Sequence, residues 1–435
     1  MDMVLLILGI VVLGVTIFLL IKQFDTRTVL IGSGILLCFI SLTPLSAFQA
    51  FSERMVTGAL IQSICSSMGF AFVMKYTKCD LHLVRLLTKP MKQLGVFLIP
   101  LTVIVTFLIS IAIPSAAGVS AAAGATLIPL LIASRIHPAI AAGTIITGTI
   151  GATLNPGIAH NAQISSIAKV ELIDFVIYHA PVSVCVMLIG AFSLMMVAIM
   201  RKEINLTPEQ ISAAQDLSDS DSAPAGQESG TTTHLLWAIA PFIPVILLIA
   251  SSFGAFGATK INVPTAMILG ALYALAITRS SPKKVTTEFF NGMGSSYANI
   301  LGIIIAAAVF IEGLKACGLI DSFIQMLINE PNLARWGGSI GPFLMGIVTG
   351  TGDATAFSFN EAVTPHADKF GYMPENLGAG VMYAACLGRN MSPLAGATIV
   401  CAGLARINPM EIAKRNALGM VLSVLAVALI WMGLQ

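Results

Sequence analysis

The chain has 435 residues, of which 56% are apolar and only 10% are charged. Soluble domains carry about 25% charged residues, so most of this surface cannot face water and is expected to face lipid. The formal net charge of +2 is too small to indicate a nucleic-acid partner. The basic residues cluster in short loops, which is the pattern of membrane topology and not of a phosphate-binding face.

Long apolar segments along the chain predict an all-α polytopic membrane protein. A helix needs about 20 mostly apolar residues to cross a bilayer. Uninterrupted segments of this kind predict spans at 4–21, 28–45, 57–74, 175–200, 234–253, 263–277, 296–314 and 418–431.

Four further apolar segments are interrupted. Segments 138–168 and 374–405 contain Gly, Pro and Asn near their middles, and we predict that each is a broken span. Segments 96–133 and 338–363 also break near their middles, and we predict that each is a re-entrant helical hairpin. The prediction is therefore ten spans and two hairpins.

The polar segment 201–233 separates a first half, 1–200, from a second half, 234–435. It contains Ser, Asp, Gly and Pro without an apolar period, which predicts a flexible linker. Cytoplasmic loops carry an excess of Lys and Arg, and segment 75–92 has five such residues against one acid. We therefore predict that this segment and the linker are cytoplasmic and that both termini are periplasmic.

The two halves align with each other at an offset of about 237 residues. Gly151 matches Gly388 and Pro156 matches Pro393, and other matches occur in the same order along the halves. Any one match is weak, but their order and common offset make chance a poor explanation. The alignment predicts an internal repeat.

The charge pattern inverts between the halves, because the basic segment 75–92 corresponds to 312–335, where three acids stand against two bases. Five spans per half, an odd number, require opposite orientations as well. We therefore predict two inverted repeats of five transmembrane helices each, with one re-entrant hairpin per repeat and discontinuous helices at the midplane. Inverted repeats with broken helices are typical of secondary transporters.

The substrate of such a transporter binds near the midplane, where helices break. The predicted breaks are the hairpin tips 114–120 and 350–355 and the interrupted spans at 148–157 and 387–396. Each helix that restarts at a break directs N–H groups and a positive dipole end toward it. Several such ends around one cavity favour an anion, and two sites related by the repeat suit a substrate with two carboxylates.

Polar residues at these breaks are the predicted substrate contacts. The repeat pairs Thr153 with Asn390 and Asn155 with Ser392, and the alternative is that these side chains only cap helix fragments. The full predicted set is Ser115, Ser120, Thr153, Asn155, Thr351, Thr355, Arg389, Asn390 and Ser392.

Two charged residues at the breaks have no charged counterpart in the other half. Arg389 matches Ala152, and its planar fork can hold a carboxylate through two hydrogen bonds; the alternative is a partner within the protein. Asp353 matches Ala117, and a carboxylate at membrane depth indicates ion coupling. We predict coupling to protons, with Na⁺ near Asp353 as the alternative, and no cofactor.

Weaker candidate site residues lie near the same breaks. They are His160, Asn360, Glu361 and His366.

At its breaks the sequence resembles the DcuC-type carriers, bacterial anaerobic C4-dicarboxylate transporters of the ion transporter superfamily. The resemblance is carried by GTIGATLNPGIAHNAQISSIAKV from Gly148, GTGDATAFSFNEAVTPHAD from Gly350 and GRNMSPLAGATIVCAGLARINP from Gly388. It implies inner-membrane transport of fumarate, succinate, malate or aspartate, by exchange or cation symport. The sodium-coupled branch of that superfamily carries Ser-Asn-Thr at both hairpin tips, whereas these tips read Ser-Ala-Ala and Thr-Gly-Asp.

Other functions remain as alternatives. The substrate could be another small organic anion or an amino-acid-like molecule. Segment 350–353 matches the GxGD pattern of intramembrane aspartyl proteases, but that chemistry needs a second aspartate within a span, and no Tyr-Asp occurs. A phosphate-binding loop and a HExxH motif are also absent. We therefore expect a carrier and not an enzyme; a homodimer stays open.

Overall fold

The structure is a computed structural model that describes residues 2–22, 24–88, 95–215, 234–256, 261–320, 322 and 331–431. All regular secondary structure of these residues is helical, and no strand occurs among them. The all-α prediction is confirmed to this extent. The second part of the predicted linker, 216–233, lies outside the described residues.

Twelve α-helices are described between residues 1 and 215, eleven of them in the first half and the twelfth in the predicted linker. They are α1 (Asp2–Ile21), α2 (Thr26–Ile40), α3 (Pro44–Met55), α4 (Gly58–Thr77), α5 (Cys79–Thr88), α6 (Leu98–Ala112), α7 (Ala116–Ala122), α8 (Gly124–Ala133), α9 (Pro138–Gly148), α10 (Ala159–Ala168), α11 (Leu172–Met200) and α12 (Pro208–Gln215).

Ten α-helices are described in the second half. They are α13 (Leu235–Ile239), α14 (Ile243–Ser252), α15 (Val263–Thr278), α16 (Pro282–Ser296), α17 (Gly302–Ala316), α18 (Pro331–Thr349), α19 (Gly352–Val363), α20 (Pro374–Asn390), α21 (Gly396–Ala405) and α22 (Pro409–Ala426).

Six short segments of 3-10 or π-helix are also described, including one after α9, one after α16 and one after α22. The 3-10 helix Thr149–Leu154 continues α9 toward the break before α10. A π-helix, Tyr297–Leu301, joins α16 to α17. A second π-helix, Val427–Trp431, follows α22.

Several described helices are long and apolar enough to cross a membrane. The helices that meet this test alone are Met3–Leu20, Gly95–Ala112, Leu172–Met200, Pro282–Ala316 and Pro409–Trp431. The pair α7 and α8 meets it together and is bent by 51°. The protein is thus a multi-pass helical membrane protein, and the total of ten spans, which counts shorter and broken helices, stays a prediction.

The helices pack in two groups. In the first group, α2 and α3 pack on α17, and α4 packs on α15 and α16. In the second group, α6 packs on α9 and α11, α18 packs on α20, and α11 packs on α22. Among the helices that contact both groups, α10 packs on α4 and α20, and α19 packs on α17 and α20.

The helices before two of the predicted breaks lie in the protein interior. All 11 residues of α9 and 14 of the 17 residues of α20 are buried. By contrast, α1 exposes Ile7, Ile10 and Val11, as expected for a lipid-facing helix. Backbone groups freed at the end of α9 or α20 are therefore surrounded by protein, which is the condition for irregular backbone at membrane depth.

Some helices were not predicted from the sequence because charged residues interrupt their apolar pattern. These are the amphipathic helices α3, α5 and α16. The first turn of α16, for example, contains Lys283 and Lys284. The last span begins at Pro409 and not at 418. Its first turns carry Arg415, which is only 5% exposed and whose Nε donates to Glu203 Oε2 at 2.9 Å.

The contact of Arg415 with Glu203 also involves the predicted linker. Glu203 lies in the predicted flexible segment, yet it is buried against Arg415, and its carbonyl accepts from the His137 backbone N–H at 3.0 Å. Residues 208–215 form α12. The first part of the predicted linker, 201–215, is therefore attached to the helical body.

Two glycines allow the broken spans to approach the helices that precede the hairpin tips. A Cβ at Gly151 would lie 2.2 Å from the Phe107 carbonyl oxygen of α6, and one at Gly388 would lie 2.1 Å from the Phe343 carbonyl oxygen of α18. No side chain larger than hydrogen fits at either position unless the backbone moves.

We therefore expect Gly151→Ala and Gly388→Ala each to destabilise the protein by about 1–3 kcal/mol, the range for overpacking. Thermal unfolding of the purified protein in detergent measures this change. Gly294→Ala in α16 is the matched control, because a Cβ there meets nothing within 4 Å. Equal unfolding temperatures for all three variants would show that the close approach does not matter.

Candidate substrate and ion site

A cavity of about 350 Å³ lies where the chain breaks meet, and we call it the central cavity. Segments from all four predicted breaks line it. They contribute Pro114 to Ala117, Ala152 with Gly157, Gly350 to Asp353, and Arg389. The central cavity therefore brings together regions that are more than 200 residues apart in the chain.

Local sequence explains the shape of both hairpin tips. After α6 ends, Ser115 takes an extended conformation, and its Oγ accepts a hydrogen bond from the Gly118 N–H at 3.1 Å, which caps α7. At the other tip, Gly350 has a φ of +70°, a conformation that favours glycine. Thr351 then adopts an extended conformation before α19 begins. Both tips are thus turns between helices.

Asp353 and His160 form an ion-pair contact across the central cavity. The His160 Nε2 lies 3.0 Å from the Asp353 Oδ1, and the two residues come from α10 and α19. The His160 side chain is 1% exposed, whereas the Asp353 side chain is 55% exposed toward the cavity. One side of the Asp353 carboxylate therefore contacts the His160 imidazole, and the other side is open to a ligand or ion in the cavity.

Arg389 is held by neutral partners. Its Nη2 donates to Asn390 Oδ1 at 2.9 Å and to Thr149 Oγ1 at 3.2 Å. Within the part of the chain that the structure describes, no carboxylate lies within 4 Å of this guanidinium, and Nη1 has no hydrogen-bond acceptor. A charged donor that lines a cavity in this way is suited to a carboxylate.

Thr153 and Asn155 lie behind the cavity wall. The Thr153 Oγ1 lies 2.5 Å from Ser183 Oγ. The Asn155 Nδ2 donates to the Ile111 carbonyl at 2.7 Å, and its Oδ1 accepts from the Gly157 N–H at 2.7 Å. Asn155 therefore joins the end of α6 to the break before α10.

Three other predicted contacts are also occupied within the protein. The Asn390 Oδ1 accepts from Arg389, the Ser392 Oγ accepts from the Leu394 N–H at 3.2 Å, and the Thr355 Oγ1 donates to the Thr351 carbonyl at 2.9 Å. Of the predicted substrate contacts, Ser115, Thr351 and Arg389 line the central cavity, together with the predicted ion-coupling residue Asp353. Whether the others contact a substrate stays a prediction.

Two predicted residues have polar atoms without a described partner. Ser120 is fully buried in α7, and its Oγ has no hydrogen-bond partner among the described residues. The Asn390 Nδ2 also has no hydrogen-bond partner among the described residues. Neither residue lines the central cavity.

The apolar part of the cavity wall was not predicted. Ile64 and Met68 of α4, Ile300 of the π-helix and Ile303 of α17 contribute it. These side chains lie in ordinary apolar runs, so no local signal separates them from lipid-facing residues. The π-helix that carries Ile300 is a structural indication of a binding site, since such distortions occur frequently at functional sites.

Among the weaker candidates, His160 lies in the central cavity and Asn360 does not. The Asn360 Oδ1 accepts from Thr364 Oγ1 at 2.7 Å, at the C-terminal end of α19. Glu361 forms an ion pair with Arg54 of α3. No group of three or more His, Cys, Asp or Glu side chains placed to hold a metal ion occurs in the described ranges.

A multi-pass helical protein with a cavity at its helix breaks, lined in part by charged and polar side chains, has the architecture of a membrane transporter. The sequence model of the family described as "DcuC: C4-dicarboxylate anaerobic carrier" matches residues 6–435. The chain therefore belongs to the DcuC family, which confirms the resemblance. The family is one of carriers, in agreement with the expectation that the chain is not an enzyme.

Curated relatives support this assignment. A putative uncharacterized transporter of Haemophilus influenzae is 44% identical over 281 residues, which is 63% of this chain and 99% of the relative. The anaerobic C4-dicarboxylate transporter DcuC of Escherichia coli K12 is 27% identical over 396 residues, which is 86% of this chain and 80% of the relative.

A solved structure shows the same fold at low identity. The crystal structure of the Alcanivorax borkumensis YdaH transporter aligns with a TM-score of 0.55 and 13% identity. The alignment covers 89% of this chain and 87% of that one. At this identity the likeness concerns the fold alone.

Proposed function

We propose that the chain is a secondary active carrier of C4-dicarboxylates, such as succinate, fumarate, malate or aspartate, in the bacterial inner membrane. Alternating access of the central cavity moves the substrate by exchange or by cation-coupled transport. The observation that carries this proposal is the Arg389 guanidinium, which lines the cavity and has no carboxylate within 4 Å among the described residues. The names of the DcuC relatives support the substrate class.

The two carboxylates of the substrate have separate partners in this proposal. Arg389 holds one through the Nη1 that lacks a described acceptor. The other approaches the first residues of α10, α19 and α21, namely Ala159, Gly352 and Gly396, which all line the cavity. Free N–H groups and the positive dipole ends of these helices favour a carboxylate there.

The two inverted repeats are part of the proposal. Equivalent helices begin at positions near the 237-residue offset, as Ala159 of α10 and Gly396 of α21 do. The close contacts of Gly151 with Phe107 and of Gly388 with Phe343 also correspond. Across the halves, α7 packs on α21 and α19 packs on α10, as a two-fold relation requires. Opposite orientation of the halves rests on the inverted charge pattern.

The proposed domain organisation follows the same division. The first repeat covers 1–200, the linker 201–233 is cytoplasmic, and the second repeat covers 234–435, with both termini periplasmic. The hairpins at 96–133 and 338–363 and the broken helices at 138–168 and 374–405 form the transport part.

Coupling to the cation is assigned to Asp353 together with His160. A protonated histidine and a carboxylate neutralise each other, and transfer of a proton to or from this pair changes the charge that faces the substrate. Protons are favoured over Na⁺ because His160 occupies one side of the carboxylate at 3.0 Å, where a sodium ion would need an oxygen ligand.

Arg389→Lys tests the anchor of the substrate. Lysine keeps the charge but loses the planar fork, and a hydrogen bond to a charged group is worth about 1.5–3 kcal/mol. We therefore expect the apparent affinity for succinate to weaken about tenfold or more. Counterflow of labelled succinate into proteoliposomes, measured over a range of concentrations, gives this value.

The matched control for this variant is Arg406→Lys, at the exposed end of α21. It should retain the affinity of the unmodified protein. If Arg389→Lys transports succinate with unchanged affinity at normal protein levels, Arg389 is not the anchor. If the unmodified protein takes up a competing amino-acid-like substrate and ignores all C4-dicarboxylates, the alternative substrate class is correct.

Asp353→Asn tests the coupling role, because asparagine mimics the protonated carboxyl group. We expect accumulation driven by a proton gradient to be lost, while exchange of internal for external succinate is at least partly retained. Both rates are measured in the same proteoliposomes, with Asp368→Asn as the control. Loss of exchange together with driven uptake would indicate a binding or structural role, and accumulation that follows only a sodium gradient would contradict proton coupling.

A further inference from the structure

A second cavity, of about 310 Å³, lies beside the C-terminal half of α17, and the proposed function does not use it. Its wall is strongly charged. It is lined by Ala50, Glu53 and Arg54 of α3, by Thr57 before α4, by Ala308, Ile311, Glu312 and Lys315 of α17, and by Glu361 of α19.

The second cavity and the central cavity share two helices. Along α17, Ile303 lines the central cavity and Ala308 lines the second cavity. Along α19, the corresponding residues are Phe357 and Glu361. At a rise of 1.5 Å per residue, the two cavities are separated by about 6–8 Å of helix, so the barrier between them is little more than one helical turn thick.

The helices α10 and α19 are joined by side-chain contacts at two places. The first is the His160–Asp353 pair of the central cavity, at 3.0 Å. The second lies further along both helices, where Gln163 Nε2 donates to Glu361 Oε2 at 3.3 Å and to the Phe357 carbonyl at 3.1 Å. Gln163 is fully buried. The two helices that carry the coupling pair are therefore connected to each other as one unit.

An ion pair links this unit to the first packing group. Arg54 of α3 forms it with Glu361, and the two side chains are only 21% and 10% exposed. Since α3 packs on α2 and α17, Arg54 belongs to the group that does not carry the coupling pair. Glu361 is thus held by Gln163 on the side of α10 and by Arg54 on the side of α3.

We propose that the Arg54–Glu361 ion pair is a latch that closes the passage between the central cavity and the second cavity and that opens in each transport cycle. The inference rests on the alternating access of the proposed function. Movement of α10 and α19 relative to α3 separates the pair. Glu53 and Glu312 line the same cavity, and they accept the released Arg54, so the guanidinium is not left as a partly buried charge without a partner.

Cysteine labelling tests the latch. In a background without the seven native cysteines, Ile303→Cys reports on the central cavity. A membrane-impermeant maleimide is applied from the side on which Lys315→Cys, at the exposed wall of the second cavity, is labelled. From that side Ile303→Cys is reached only when the latch is open. We expect Glu361→Gln, which retains an acceptor for Gln163 but removes the charge, to raise the labelling rate at least fivefold.

The matched variants separate the ion pair from other effects. Glu171→Gln, which removes an exposed acid before α11, should leave the rate unchanged. The charge exchange Arg54→Glu with Glu361→Arg should return the rate to within about twofold of the starting protein. If that double variant does not fold, Arg54→Gln replaces it and should show the same rise as Glu361→Gln.

Each outcome decides a separate claim. A labelling rate that Glu361→Gln leaves unchanged in a folded protein, or that the folded charge exchange does not restore, overturns the latch. Saturating succinate should slow the labelling of Ile303→Cys in the starting protein. If succinate gives no protection while Glu361→Gln still raises the rate, the latch stands and the central cavity is not the substrate site.

Discussion

A helix that breaks at membrane depth exposes backbone N–H and C=O groups that lipid cannot satisfy, and this constraint determines much of the structure. The broken spans are placed in the interior, where α9 is buried at every residue. The Asn155 side chain binds the Gly157 N–H within one break and the Ile111 carbonyl of α6, and Ser392 caps the corresponding turn in the other half. Polar side chains that do not bond to backbone groups at the breaks remain available to bind a ligand.

In the proposed function, the two charges assigned to the substrate and the cation are those that the predicted repeat does not duplicate. Asp353 and Arg389 line the same cavity, yet their counterparts are Ala117 and Ala152, which line it as well. In this proposal the predicted repeat provides helix ends and turns, and the unduplicated charges give the cavity a carboxylate on α19 and a guanidinium at the end of α20. The proposed coupling of an anion to a cation needs both signs of charge at one site.

The sequence located the chain breaks well because Gly, Pro and polar residues interrupt apolar runs at few places. It could not separate residues that cap a break from residues that face the cavity: Thr153 and Asn155 look as exposed to a ligand as Ser115 does, but they lie behind the wall. The amphipathic helices were missed because their charged residues interrupt the apolar pattern. The contact of Arg54 with Glu361 joins residues about 300 positions apart, and no local pattern indicates it.

A structure of the purified protein with succinate bound tests the central claim most directly. The proposal predicts density for one succinate in the central cavity, with a carboxylate oxygen within about 3 Å of the Arg389 guanidinium, the normal distance for a charge-assisted hydrogen bond. The second carboxylate should lie near the first turn of α10, α19 or α21. Succinate bound elsewhere, with the central cavity filled only by water at saturating concentration, would contradict the account.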